Sequence, residues 1–266
     1  MKSLVIGRGL IGTHIHKEIL ESDIVSSRNA LDYLNRFDYD WVINCTFDPT
    51  LSDFSYDVDL SFDALIIKAV RAKAGARYLM LSSRKVYPPE DQWGATENLE
   101  IYIDDIDSAY GRNKYLTEIY VNQVLGKGRS LILRLPNIFG YRSTKSLSST
   151  FFDQMYKNLI NRRVISFDFT RHTKRDFMYA GDLSRTVQVL VENKVTGLYN
   201  CGYGHSVECG VLAEILIDMT GYGMIVDAEN VKDEFFLNTS KLENRIVMPR
   251  FEHLKNGIIG TIKQED

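Results

Sequence analysis

The sequence predicts an α/β protein built on a doubly wound parallel sheet with a smaller C-terminal lobe, and three observations carry that expectation. Short β-rich runs alternate with longer amphipathic ones through the first half of the 266 residues, the pattern that helical crossovers between parallel strands produce. The glycine-spaced turn Gly7-Arg8-Gly9-Leu10-Ile11-Gly12 follows the first of those runs directly. After Gly140 the texture changes to a connection rich in serine and threonine, which marks the start of the lobe.

The individual elements follow from local patterns. Residues 4–6, 24–25, 41–45 and 78–81 are β-rich, and residues 10–20 and 57–74 are helical. In the second helix Leu60, Ala64, Ile67 and Val70 fall on one face, and Gly75 sits where a helix stop is expected. A helix over 110–125 precedes a buried strand over 131–135, apolar apart from Arg134; Pro136 and Asn137 then end it. Helices over 151–160, 182–192 and 207–220, with a strand at 197–200, complete the reading.

Composition narrows the function classes. Lys plus Arg is 32 against 35 Asp plus Glu, a net charge of −3, which argues against a basic nucleic-acid face and against an acidic tail. The three cysteines, Cys45, Cys201 and Cys209, contain no C-x-x-C pair, so no zinc site or disulfide framework is legible. His14 and His16 do not share a helix face. No metal is expected. No run approaches the ~20 apolar residues of a membrane span, and glycines from position 7 leave no room for a signal-peptide core. A cytoplasmic protein is the expectation.

The glycine turn carries the first functional reading. Its chemistry needs a strand before it, a helix after it and a backbone bare enough for a pyrophosphate to reach the helix N–H groups, and Gly7, Arg8, Gly9, Leu10, Ile11 and Gly12 stand in that context. An NAD site usually has an acid at the end of the second strand. Here Ser26, Ser27 and Arg28 occupy it, and with Arg8 they suit a 2′-phosphate. NADP(H) is therefore expected over NAD(H). Residues 1–138 form the dinucleotide-binding domain, to which the chain returns around 176–200, while 139–175 and 201–266 form the substrate-binding lobe.

The second reading joins Ser83, Tyr110 and Lys114. The phenol and the amine stand four residues apart on one helix face, and Ser82-Ser83 ends a strand at the sheet edge where ligands of open α/β sheets collect. Tyr141 and Lys145 repeat the spacing without such a strand before them, and are read as a coincidence.

With these residues the chain resembles an extended short-chain dehydrogenase/reductase, the group of nucleotide-sugar epimerases, dehydratases and 4-keto reductases. Ser82-Ser83-Arg84-Lys85-Val86-Tyr87 is similar to the family's S-S-x-x-V-Y, and the run from Leu133 to Gly140 is similar to L-R-x-x-N-V-Y-G. Arg175-Asp176-Phe177 with Asp182 follows R-D-F-x-x-V-x-D, and Thr239-Ser240-Lys241-Leu242 matches a T-S-K-L segment. The motifs keep the family's order from about residue 2 to residue 262.

The resemblance implies a Rossmann sheet and a division of roles. Ser83 would hydrogen-bond the reacting carbonyl or hydroxyl, and Tyr110 would exchange a proton with it. Lys114 would favour the phenolate and hold the nicotinamide ribose, so Tyr110 and Lys114 count among the cofactor-binding residues too. Asn137 and Arg175 would join Ser83 on the substrate side, near the diphosphate of a nucleotide-linked sugar. Two departures narrow the reaction. Dehydratases of the family carry an Asp-Glu pair where Arg84 and Lys85 stand here, and a combined epimerase and reductase has a proton-shuttling cysteine nearest the place of Lys85. The expectation is an NADPH-dependent reductase of a 4-keto group on a nucleotide-activated deoxysugar. A nucleotide-sugar 4-epimerase with tightly bound NAD and a non-catalytic NADP-sensing protein are the alternatives. Family members dimerise through the two helices over 57–74 and 110–125, so a homodimer is expected.

Overall fold

The computed structural model describes residues 1–140, 150–249 and 254–263. The polar connection that begins at Ser143 and the Tyr141/Lys145 pair lie outside them.

Six parallel strands make the central sheet. Chain order is β1 (Ser3–Ile6), α1 (Leu10–Glu18), β2 (Ser22–Val25), α2 (Ala30–Arg36), β3 (Trp41–Asn44), α3 (Phe62–Ala72), β4 (Arg77–Ser83), the short β5 (Trp93–Ala95), α4 (Ala109–Leu125) and β6 (Ser130–Leu135). Then follow β7 (Asn137–Phe139), α5 (Phe151–Arg162), β8 (Val164–Ser166), β9 (Lys174–Arg175), β10 (Phe177–Tyr179), α6 (Ala180–Glu192) and β11 (Gly197–Asn200). The rest is β12 (Val207–Glu208), α7 (Cys209–Thr220), β13 (Met224–Val226), β14 (Phe236–Leu237), α8 (Ser240–Glu243) and α9 (Leu254–Lys263). Spatial order across the sheet is β11-β6-β4-β3-β1-β2. The strand order reverses between β1 and β3, and such a switch point opens a crevice at the carboxyl ends of the strands.

Strand alternation divides the core into two layers. Val5, Ile43, Leu79, Leu81, Leu131 and Leu133 face Ile15 of α1 and Leu183, Val187 and Leu190 of α6. Leu4, Ile6, Val42, Met80 and Ile132 face the other way, onto Leu34 of α2, Ile67 and Val70 of α3 and Val121 of α4. Each such side chain, fully buried, contributes about 1.5–3 kcal/mol. A third core, built on Phe152, Leu159, Phe167, Phe169, Phe177 and Leu216, holds the lobe together.

Three local expectations change. Leu60 was expected on the buried face of α3, but it lies in a 3₁₀ turn and is 80% exposed. The reason is capping: the Ser61 hydroxyl accepts from the Ala64 N–H at 3.1 Å and starts the helix one residue later. Pro136 ends β6 without ending extended structure, because Asn137–Phe139 pairs in parallel with Phe177–Tyr179. Val207 and Glu208 pair antiparallel with β9, and α7 begins only at Cys209.

Asp176 ties three of these segments together. Its N–H donates to the Phe235 carbonyl at 3.0 Å, its carbonyl accepts from Asn137 at 3.2 Å, and its side chain faces the Leu237 N–H at 3.4 Å. Fully buried with no cation beside it, the carboxyl is pushed up to about 7. In the unfolded chain the group titrates near its ordinary value of about 3.9. The folded state thus holds the extra proton between about pH 4 and 7, and the stability tied to that proton is lost as pH rises through this window. Urea unfolding from pH 4 to 8 should show Asp176→Asn gaining on the parent protein by an amount on the order of 2–4 kcal/mol. Parallel profiles would contradict this account of the buried carboxyl.

Candidate active site

The glycine turn leaves β1 with Gly7 at φ +108°, where a Cβ would stand 2.9 Å from the Cys45 carbonyl oxygen. A Cβ on Gly12 would stand 1.9 Å from the Gly7 carbonyl oxygen, so α1 packs on the turn only without a side chain there. Gly9 caps α1 without a side-chain hydrogen bond, which leaves the first helical N–H groups for a ligand. Gly7 and Gly9 open onto a cavity of about 520 Å³ that Arg8, Ser26 and Ser27 also line. Arg28 is exposed on the 3₁₀ turn beyond Ser27 and does not line it. Among the described residues no carboxylate lines it either.

A second cavity, of about 470 Å³, is lined by Ser83, Tyr110, Lys114 and Asn137 together. Ile11, Cys45, Thr46, Phe47, Ile138 and Thr150 border both, so the two are continuous. Ser83 closes β4 and caps the following 3₁₀ turn, its Oγ accepting from the Lys85 N–H at 3.2 Å. Tyr110 is half-buried, its ring 6.1 Å from that of Phe47. Lys114 is buried, and its Nζ donates to the Leu81 carbonyl at 3.1 Å. The neighbouring hydroxyl is committed elsewhere: Ser82 Oγ donates to Glu118, which is paired with Arg134 at 2.7 Å.

Arg175 lies in an adjoining cavity of about 530 Å³, which meets the second one at Phe151. Its guanidinium sits 4.3 Å from the Phe169 ring centroid and 5.0 Å from that of Phe151, and donates to the backbone carbonyls of Lys232 and Asp233. Lys85 faces this third cavity and not the one holding Ser83, with its ammonium 3.1 Å from Asp233. Burial pushes the thiols of Cys45, Cys201 and Cys209 up to about 12. Among the described residues no group of His, Cys, Asp and Glu is arranged to hold a metal, and no helix is long and apolar enough to cross a membrane.

The model of the NAD dependent epimerase/dehydratase family matches residues 5–202. This chain belongs to that family. Solved structures share its fold. A dTDP-4-dehydrorhamnose reductase from Clostridium acetobutylicum is 17% identical, with a TM-score of 0.80 over 100% of this chain and 99% of the other. The Bacillus anthracis dTDP-4-dehydrorhamnose reductase in complex with NADP is 15% identical, with a TM-score of 0.78 over 99% and 100%. The Thermus thermophilus UDP-glucose 4-epimerase in complex with NAD is 16% identical, with a TM-score of 0.77 over 99% and 98%. A nicotinamide dinucleotide is the cofactor such a family member takes, and the bare glycine turn and uncapped α1 fit its pyrophosphate.

Glu118 and Phe47 of this epimerase/dehydratase family site carry no motif of their own. Glu118 stands four residues after Lys114 on one face of α4, and Arg134 is the one charge in an apolar strand; together they are a buried pair across two elements. Against the burial that disfavours its charge, the Glu118 carboxylate raises the guanidinium above its ordinary pKa. Arg134 also lies 4.6 Å over the Tyr87 ring, whose hydroxyl donates to Asn200 of β11 at 2.8 Å. Phe47 comes from the β3–α3 connection, where no pattern distinguishes it. Gly111 allows α4 to touch the Ser83 turn, since a Cβ there would stand 2.0 Å from the Lys85 carbonyl oxygen. Gly111→Ala should therefore lower stability in a urea melt by about 1–3 kcal/mol, the usual cost of overpacking. An unchanged midpoint would mean that the two backbones are not in contact.

Proposed function

We propose that the protein is an NADPH-dependent reductase of a 4-keto group on a nucleotide-activated deoxysugar. The observation that carries the reading is the single cavity lined by Ser83, Tyr110 and Lys114 and continuous with the glycine turn. When bound, the dinucleotide supplies a hydride; the glycine turn, Arg8, Ser26 and Ser27 would hold it. Serine hydroxyls without a carboxylate favour the 2′-phosphate of NADP over a free ribose hydroxyl.

Each member of the triad has a distinct task. Ser83 is held at the end of β4, where its hydroxyl can donate to the substrate's carbonyl oxygen. Tyr110 gives that oxygen its phenolic proton, and positioned acid help of this kind is worth about 10²–10⁴-fold. Lys114 spends one N–H on Leu81. Its ammonium keeps two further donors, for the phenol and for the ribose of the cofactor, and its charge would stabilise the phenolate left behind until solvent returns the proton.

The surroundings favour plain ketone reduction over elimination or carbon epimerisation. Arg84 is buried in an ion pair with Asp233 and Lys85 is paired with the same carboxylate, so the turn after Ser83 offers no base to the sugar. Phe151, Phe152, Phe177 and Ile138 give the cavity an apolar wall. A deoxy carbon suits such a wall, whereas a hydroxyl there would lack a partner. Asn137 lies in the sugar cavity and Arg175 in the next one, which accords with a substrate reaching across Phe151. Leu65 of α3 and Ile119 of α4 are exposed and belong to the helices through which a homodimer would form.

Mixing the protein with NADPH and a panel of nucleotide-linked 4-keto sugars should give stoichiometric cofactor oxidation, with no cofactor surviving gel filtration of the purified protein. Tyr110→Phe and Ser83→Ala are expected to lower kcat by about 10²–10⁴-fold while NADPH binding, followed by fluorescence, stays within a few-fold. Tightly retained NAD, or full turnover by Tyr110→Phe, would overturn the reading.

A further inference from the structure

The turn after Ser83 and the segment before β14 meet at one carboxylate. Asp233 accepts from Arg84 through both oxygens, at 2.9 and 2.6 Å, and from Lys85 Nζ at 3.1 Å. Arg175 Nη2 stands 3.9 Å from it. Three cations thus surround a single anion. The residue holding that anion sits at φ +58°, a left-handed conformation uncommon outside glycine and asparagine. Although partial burial works against its charge, Arg84 and Lys85 pull the carboxyl down to about 2, so it is ionised throughout the physiological range.

The three cations differ in what else they can reach. Arg84 is buried behind the cluster, flat against the Phe235 ring at 3.6 Å and also bonded to Gln92. Its fork is filled by Asp233, and it stays with that partner. Lys85 and Arg175 instead line the third cavity with Asp233 itself, and Lys232 lines it too, held by Asp168 at 2.5 Å. Asp107 is the remaining charge on that wall. Guanidinium and ammonium groups are the partners a diphosphate seeks, and of the three carboxylates on this wall Asp233 is the one that Lys85 and Arg175 share.

We propose that Asp233 is an internal anion seated on the cations that take the substrate's diphosphate: it weakens diphosphate binding, and a bound diphosphate draws Lys85 and Arg175 away from it while Arg84 keeps it in place. This rests on the nucleotide-sugar reading above and adds to it a residue that sets affinity. The exchange also reaches the triad, because the Lys85 N–H is the one that Ser83 Oγ accepts. Asp233 sets affinity by this argument; it lies in the third cavity and not in the one that holds Ser83, Tyr110 and Lys114.

The test is calorimetric titration of the full chain with UDP and with dTDP, with uridine as the uncharged control. Asp233→Asn tolerates the left-handed backbone and should bind the diphosphates about tenfold tighter than the parent, with a smaller gain at high salt and no change for uridine. Lys85→Gln leaves the buried Arg84–Asp233 pair in place, so it folds whatever the first variant does, and should bind the diphosphates about tenfold more weakly. If Asp233 only braces the fold, Asp233→Asn will bind the diphosphates no better than the parent, and if Lys85 does not share the ligand, Lys85→Gln will bind as the parent does; either result overturns the proposal. A parent protein that binds neither diphosphate overturns this inference and the nucleotide-sugar reading together. Tight binding with the expected variant pattern but no NADPH oxidation would count against the reductase reading alone.

Discussion

Helix α4 meets the end of strand β4 backbone to backbone, and the site depends on that contact. Gly111 makes it possible, because any side chain would collide with the Lys85 carbonyl. Tyr110 stands just before the contact and Lys114 one turn after it, so both are delivered to the place where Ser83 ends its strand. One turn further on, Glu118 takes a hydrogen bond from Ser82 and an ion pair from Arg134 of the next strand. A buried pair of this kind adds little net stability, yet losing one partner typically costs about 3–5 kcal/mol. Its effect is to fix the register of helix against sheet, and with it the spacing of three reactive groups.

The sheet supplies the second constraint. The strand order puts β1, with the glycine turn, on one side of β3 and β4, with Ser83, on the other. The residues that leave β3, Cys45, Thr46 and Phe47, border both cavities and make them one channel. That channel runs from the glycine turn to Tyr110. The lobe completes the enclosure with Phe151 and Phe152, while Asp233 binds it to Arg84 and Lys85 of the turn after Ser83.

Much of this was legible before any coordinates. Short β-rich runs separated by amphipathic ones, with the glycine stop at Gly75, predicted the sheet, because in each case a local pattern has one physical cause, and the glycine turn marked the proposed cofactor end. The triad was legible only as a set, since Tyr141 and Lys145 show the same spacing and the strand before Tyr110 is what separates the two pairs. Leu60 misled because helical periodicity runs through a capping serine without a break. The Asp233 cluster was invisible, as Arg84 and Asp233 meet across 149 residues and no local signal marks either. Arg175 was legible by motif, but the Phe151 and Phe169 rings it lies over were not.

The central proposal is that the three groups at the α4–β4 contact would hold a sugar ketone and protonate its oxygen, with the bound dinucleotide supplying the hydride and net reduction as the result. Following deuterium by NMR from NADPH that carries deuterium at both C4 positions tests it most directly. The account predicts one deuterium at sugar C4 in each turnover, with an equivalent of NADP released. Deuterium that returns to the cofactor, enters a neighbouring carbon or never leaves the cofactor would contradict it.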